Sequence, residues 1–150
     1  MNQFPIDIYK NDALVGRDGK HILIGEQAFC RRGLTTLFSP VLQCSTLYTN
    51  ITGIWNPIVM WYFNPFADRF EHTTPSPRCS NILEPTTERA IIEYIIFHDY
   101  FDEGILIEGL STYLQNHTDL CALYDEAAFW HLRIDWLDYW IKEAREDYEV

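Results

Sequence analysis

Glu84-Pro85-Thr86-Thr87-Glu88-Arg89-Ala90-Ile91-Ile92-Glu93-Tyr94-Ile95-Ile96-Phe97-His98 is where this chain changes character. Proline suits the first turn of a helix, where its missing N–H costs nothing, and Glu88 complements the positive end of the helix dipole. Ile91, Tyr94, Ile95 and His98 recur at helical spacing, and Ile92 and Ile96 widen the stripe. A stripe that wide predicts a central helix. Arg89, on its first turn, is placed to pair with Glu93 four residues on.

Downstream the helical pattern continues. A second helix is expected over Asp102 to Gln115, burying Leu106, Leu110, Tyr113 and Leu114. A third starts at Thr118 as N-cap and carries Leu120, Leu123, Tyr124 and Ala127. A fourth follows the N-cap Asp135 and buries Leu137, Trp140, Ile141 and Ala144. Upstream, turn residues and short apolar runs replace that pattern. Asn11-Asp12 and Arg17-Asp18-Gly19 read as turns, His21 to Ile24 as a short strand, and Gly25 to Arg32 as a short helix closed by Gly33. Val41 to Thr49 and Ile58 to Phe63 read as strands, with Thr52-Gly53 a turn between them. Thr73 to Pro77 reads as a loop or hairpin tip, and Asn81-Ile82-Leu83 as a last short strand. The expected fold is a single α+β domain over 1–150. A small antiparallel sheet occupies residues 1–84 with one short helix, and an acidic bundle of about four helices occupies 85–150.

Composition bounds the function. The chain has 150 residues, 47% apolar and 22% charged, enough to bury roughly two thirds of its unfolded surface without metals or disulfides. No run approaches the ~18 to 20 apolar residues of a membrane span, and Met1 to Lys10 lacks the layout of a signal peptide. Cys30, Cys44, Cys79 and Cys121 form no CxxC pair, so reduced thiols in a cytoplasm are expected. Five Trp, nine Tyr and nine Phe fill a core and leave a surplus for a binding face. Net charge is −11, unevenly spread: residues 1–80 hold seven Lys/Arg and six Asp/Glu, residues 81–150 four and sixteen. Such a C-terminal half repels nucleic acid and membranes and attracts basic protein surfaces; it also serves as a solvated helical surface that keeps a protein soluble.

Sequence constellations for chemistry are weak. His117 and Cys121, with Asp125, share a helix face but lack a third strong metal ligand at suitable spacing. His98-Asp99 with Asp102-Glu103 fits acid–base work, and equally a helix end followed by a helix start. GxSxG, GxxxxGK[ST] and GxGxxG are absent. Gly16 to Lys20 fits a hairpin turn better than a phosphate loop. Leu120 to Arg145 has helix–turn–helix proportions. However, Asp135, Asp138, Glu143, Glu146, Asp147 and Glu149 against only Lys142 and Arg145 oppose an approach to phosphates.

One ordered series of segments carries a family resemblance: Gly25-Glu26-Gln27-Ala28-Phe29 with Gly33-Leu34-Thr35, then Val41 to Tyr48, then Glu84-Pro85-Thr86-Thr87-Glu88-Arg89-Ala90, then Asp102 to Leu110. Over about residues 20–145 this resembles the C-terminal domain of AbiEi-type antitoxins of type IV toxin–antitoxin systems. The resemblance implies a non-catalytic protein that antagonises a nucleotidyltransferase-like toxin. The family's N-terminal winged helix has no counterpart in the roughly 20 residues ahead of the match, which puts operator binding in doubt.

These readings converge on an acidic, protein-binding inhibitor with neither catalytic activity nor cofactor. Its expected partner is a protein with a basic surface, either a nucleotidyltransferase-like toxin or a phage-defence or CRISPR nuclease. The expected partner-binding residues are Asp125, Glu126, Asp135, Asp138, Glu143 and Glu146, with Trp130 and Trp136 as apolar anchors. Two alternatives stay open: a regulator using 120–145 on DNA, and an enzyme with a site assembled from His98, Asp99 and His131.

Overall fold

The computed structural model describes residues 20–37, 42–47, 55–56, 59–77 and 79–149. The turns expected at Asn11-Asp12, Arg17-Asp18-Gly19 and Thr52-Gly53, and the outer ends of the strand expected over Val41 to Thr49, lie outside them. The elements are β1 (His21–Ile22), α1 (Gly25–Arg31), β2 (Leu42–Thr46), β3 (Trp55–Asn56), β4 (Val59–Phe63), β5 (Thr73–Ser76) and β6 (Cys79–Pro85). The helical half follows as α2 (Thr87–Ile96), a 3-10 turn (His98–Tyr100), α3 (Glu103–Asn116), α4 (Cys121–Phe129) and α5 (Ile134–Glu149). The class is α+β, with strands preceding the helical half. Among the described residues, no helix is long and apolar enough to cross a membrane.

The sheet departs from the expected antiparallel form. Among the described residues there are two three-stranded mixed sheets, ordered β1-β6-β5 and β2-β4-β3. β1 runs parallel to β6 and β2 parallel to β4, with Cys44 opposite Trp61. The pairs β3–β4 and β5–β6 are antiparallel. Side-chain alternation reports which face is buried, not strand direction, so the sequence left direction open. Every residue of β2 is buried, as parallel strands covered on both faces are. The backbone joins the two sheets: Leu23 N–H donates to the Leu83 carbonyl and Ile24 N–H to the Gln43 carbonyl, each at 2.9 Å. Thr73 to Ser76, expected as loop or hairpin tip, pairs with β6.

Helix α1 ends as its sequence dictates. Gly33 takes φ +71°, Leu34 N–H donates to the Phe29 carbonyl at 2.9 Å, and Gly33 N–H to the Cys30 carbonyl at 3.2 Å. This is the Schellman arrangement, which favours glycine at the left-handed position. α2 begins two residues after the proline: Pro85 closes β6, and the Thr86 hydroxyl caps the helix by accepting Arg89 N–H at 3.3 Å. Ile91, Ile92, Tyr94 and Ile95 are fully buried, and α2 packs on α1, α3, α4, α5 and β6. Burying each isoleucine contributes about 1.5–3 kcal/mol relative to exposure.

α3 has the expected start: the Asp102 carboxylate accepts Gly104 N–H at 2.7 Å and Ile105 N–H at 3.2 Å. The expected caps of the last two helices are displaced. α4 begins at Cys121, whose N–H is taken by the Asp119 carboxylate at 2.9 Å, not at Thr118. α5 begins at Ile134, with Asp135 inside its first turn and the Arg133 carbonyl accepting Leu137 N–H at 3.3 Å. Asp and Thr near a helix start compete for the same role, and the starts lie within a few residues of the expected ones. The predicted face of α5, Leu137, Trp140, Ile141 and Ala144, is buried throughout.

Candidate functional site

The direction of α5 is set by the turn before it. His131 takes φ +61°, while Leu132 N–H donates to the Ala127 carbonyl at 2.8 Å and His131 N–H to the Ala128 carbonyl at 3.2 Å. Leu132 then buries against the core. α5 consequently lies along α3 and α4, with one flank of its outer face turned toward the 3-10 turn and the start of α3.

An open groove of about 400 Å³ forms there, lined by His98, Glu103, Trp136, Tyr139 and Trp140. Positions 136, 139 and 140 fall on one side of a helix, which gathers three aromatic rings. Trp136 is 46% and Tyr139 54% exposed, whereas Trp140 is 7% exposed and closes the floor. The Tyr139 and Trp140 rings meet edge to face at 5.2 Å, and the His98 ring lies 5.4 Å from Trp140. His98 is held by its own surroundings: Nδ1 is 2.9 Å from the Ile95 carbonyl, and Nε2 is 3.3 Å from the Asp99 carboxylate. The Tyr139 hydroxyl is shifted above the usual phenol range, first by its hydrogen bond to Glu143 and then by the charges of Glu143 and Glu103. Large aromatic surface that stays exposed beside carboxylates distinguishes this groove from ordinary core packing.

The residues expected to bind a partner divide into two sets. Asp125, Asp135, Asp138 and Glu146 are exposed, and Glu143 is half-buried beside Tyr139. Asp135 accepts from Arg133 at 2.7 Å, Glu146 faces Lys142 at 3.9 Å, and Asp138 accepts the Tyr124 hydroxyl. That last bond is the main reason the Tyr124 phenol is pushed up to about 12. Glu126 and Trp130 require correction. They are 8% and 2% exposed and face inward, so they do not belong to an accessible surface. The Glu126 carboxylate accepts Trp130 Nε1–H at 2.6 Å and lies 2.7 Å from His72 Nδ1.

Trp130 instead roofs a buried ionic centre. The Arg89 guanidinium, with no exposure, stands 4.3 Å over the Trp130 ring. It donates to Glu93 at 3.1 and 3.3 Å and to the carbonyls of Phe66, Arg69 and Glu71 at 3.3, 2.7 and 2.6 Å. Glu93 also accepts Asn64 Nδ2–H at 2.6 Å. The Arg89–Glu93 pairing expected from the sequence is present, and its role is to fasten the 64–72 loop to α2.

His117 stacks on Tyr113 at 3.9 Å with Nδ1 2.9 Å from the Tyr113 carbonyl. Among the described residues, no group of three or more His, Cys, Asp and Glu side chains is placed to hold a metal ion. His98 and Asp99 are adjacent, but His131 lies in the α4–α5 turn and does not line the groove. Tyr139 was not singled out in the sequence; it sits off the Leu137-Trp140-Ile141-Ala144 stripe, and a large aromatic on the polar side of a helix was its signal. Compared with protein-family models and with curated proteins, the chain matches none.

Proposed function

We propose that this protein is a non-catalytic binding protein whose acidic, aromatic α5 face docks on a basic surface of a partner protein. The supporting observation is the combination on one helix. Asp135, Asp138 and Glu146 are exposed beside exposed Trp136 and Tyr139, and the nearby cations Arg133 and Lys142 are turned to acidic neighbours. Aromatic rings supply stiff contact area, and carboxylates around them select a basic partner. The resemblance to the C-terminal domain of AbiEi-type antitoxins makes an antitoxin-like inhibitor the specific form of this reading. Its carboxylates stand where the phosphates of a nucleotide or nucleic acid would bind on a nucleotide-handling enzyme. A phage-defence or CRISPR nuclease is the alternative target with the same surface requirement. Docking of α5 on DNA is disfavoured, because its exposed first turns present carboxylates to the phosphates.

Affinity capture from a host lysate with and without nuclease treatment tests the proposal. A stoichiometric, nuclease-resistant protein partner is expected, whose identity separates toxin from nuclease. Joint charge reversal of Asp135, Asp138 and Glu143 should weaken the complex by tenfold or more, about 1.4 kcal/mol, with an unchanged circular dichroism spectrum. Recovery of nucleic acid alone, or an affinity indifferent to the triple substitution, counts against it.

A further inference from the structure

We propose that the groove between α5 and the start of α3 is a receptor for one arginine side chain projecting from the partner. This rests on the protein-binding reading above and names the group that the groove takes.

The groove offers an arginine two kinds of contact. Trp136, Tyr139 and Trp140 present ring faces and edges, and Glu103 stands as a carboxylate among the lining residues. Aromatic faces attract cations through the ring quadrupole. Among the described residues no Lys or Arg lines the groove, Asp99 beside His98 is almost fully exposed, and Glu143 sits at the Tyr139 hydroxyl. The charge around the opening is therefore negative, which repels a nucleotide's phosphates and draws in a cation. Trp140 is nearly buried and its ring is fixed between Tyr139 and His98, so the floor is preformed.

Among cations, guanidinium suits the groove better than ammonium. It is planar, weakly hydrated, stacks on aromatic faces and forks onto a carboxylate, whereas ammonium holds its water tightly. The same combination is already used inside this protein, where the Arg89 guanidinium lies 4.3 Å over the Trp130 ring with both Glu93 oxygens within 3.3 Å. The groove offers two indoles, a phenol and Glu103, with no Lys or Arg among the described residues that line it.

The experiment uses the full chain labelled with 15N and follows the indole N–H resonances of Trp136, Trp140 and, as an internal control, buried Trp130. The probes are the capped tripeptides Gly-Arg-Gly and Gly-Lys-Gly, and uncharged adenosine. The arginine peptide is expected to move the Trp136 and Trp140 resonances with a millimolar dissociation constant and to leave Trp130 in place. Glu103→Gln should weaken that binding several-fold, and Trp136→Ala should abolish it. No shift with the arginine peptide, an equal response to the lysine peptide, or tighter binding of adenosine overturns the assignment. Failure of the two readings is separable. A captured partner whose affinity is unchanged by Trp136→Ala and Glu103→Gln removes the arginine receptor alone. Arginine-peptide binding without any captured partner leaves the groove's selectivity for arginine standing and removes the protein-docking reading.

Discussion

Replacing Arg89 by methionine perturbs the buried centre that joins the 64–72 loop to α2. Methionine keeps much of the volume but removes every donor. Glu93 is then left as a buried carboxylate with Asn64 as its remaining close donor, and the carbonyls of Phe66, Arg69 and Glu71 lose their arginine partner. Breaking a buried ion pair from one side typically costs about 3–5 kcal/mol. That is a large share of the roughly 5–15 kcal/mol available to a domain. For a chain of this size it corresponds to a fall in Tm of roughly 6–20 °C. Urea denaturation followed by tryptophan fluorescence measures the effect through the shift in midpoint. The double variant Arg89→Met with Glu93→Leu removes the stranded charge and should recover a good part of the loss, because a buried pair replaced by apolar groups is often nearly neutral. An Arg89→Met variant within about 1 kcal/mol of the parent would refute the claim that this centre fastens the loop.

Two further outcomes follow from local geometry. A methyl group added at Gly109 meets Phe29 Cε2 at 2.5 Å, and Phe29 is fully buried against Tyr94 with ring centroids 4.4 Å apart. Helix propensity favours Gly109→Ala by about 1 kcal/mol, but overpacking costs about 1–3 kcal/mol. A lowered urea midpoint is therefore expected, and a raised one would contradict the tight α1–α3 contact. Tyr124 titrates in the folded chain at about 12, above the ordinary phenol value of 10.0, chiefly through its bond to Asp138; burial shifts Tyr94 and Tyr113 in the same direction. The folded state holds these protons more tightly than the unfolded chain. The stabilisation linked to Tyr124 is thus complete below pH 10 and is lost as pH rises through 12, while that linked to Tyr94 and Tyr113 persists to higher pH. A midpoint that falls over this window, and falls less in Tyr124→Phe, is expected; a flat profile is not.

The parts of the fold that depend on local periodicity were legible in the sequence. The buried stripe of α5, the core face of α2, the glycine cap of α1, the Asp102 cap of α3 and the Arg89–Glu93 pair all follow from residues within a few positions of one another. What was not legible depends on distant partners. Parallel pairing of β2 with β4 and of β1 with β6 leaves no mark in alternation. Glu126 and Trp130 read as surface residues on an acidic stretch, yet His72 and Arg89, brought in from far along the chain, draw them inward. The groove mixes both cases. The exposure of Trp136 on a charged helix was legible, but its neighbours His98 and Glu103 come from other elements, and only tertiary packing of α5 against α3 assembles them.

Parallel pairing of β1 with β6 also sets a schedule for folding. His21 waits for Ile82, about 60 residues later, before its sheet can close, and long-range closure of this kind slows folding. During synthesis β2, β3 and β4 can pair once residue 63 has emerged, whereas β1 keeps an unpaired edge until β6 follows. The acidic segments come last. Their carboxylates are added after the residues of both sheets, so the repulsion they carry arises only once every strand is available to pair.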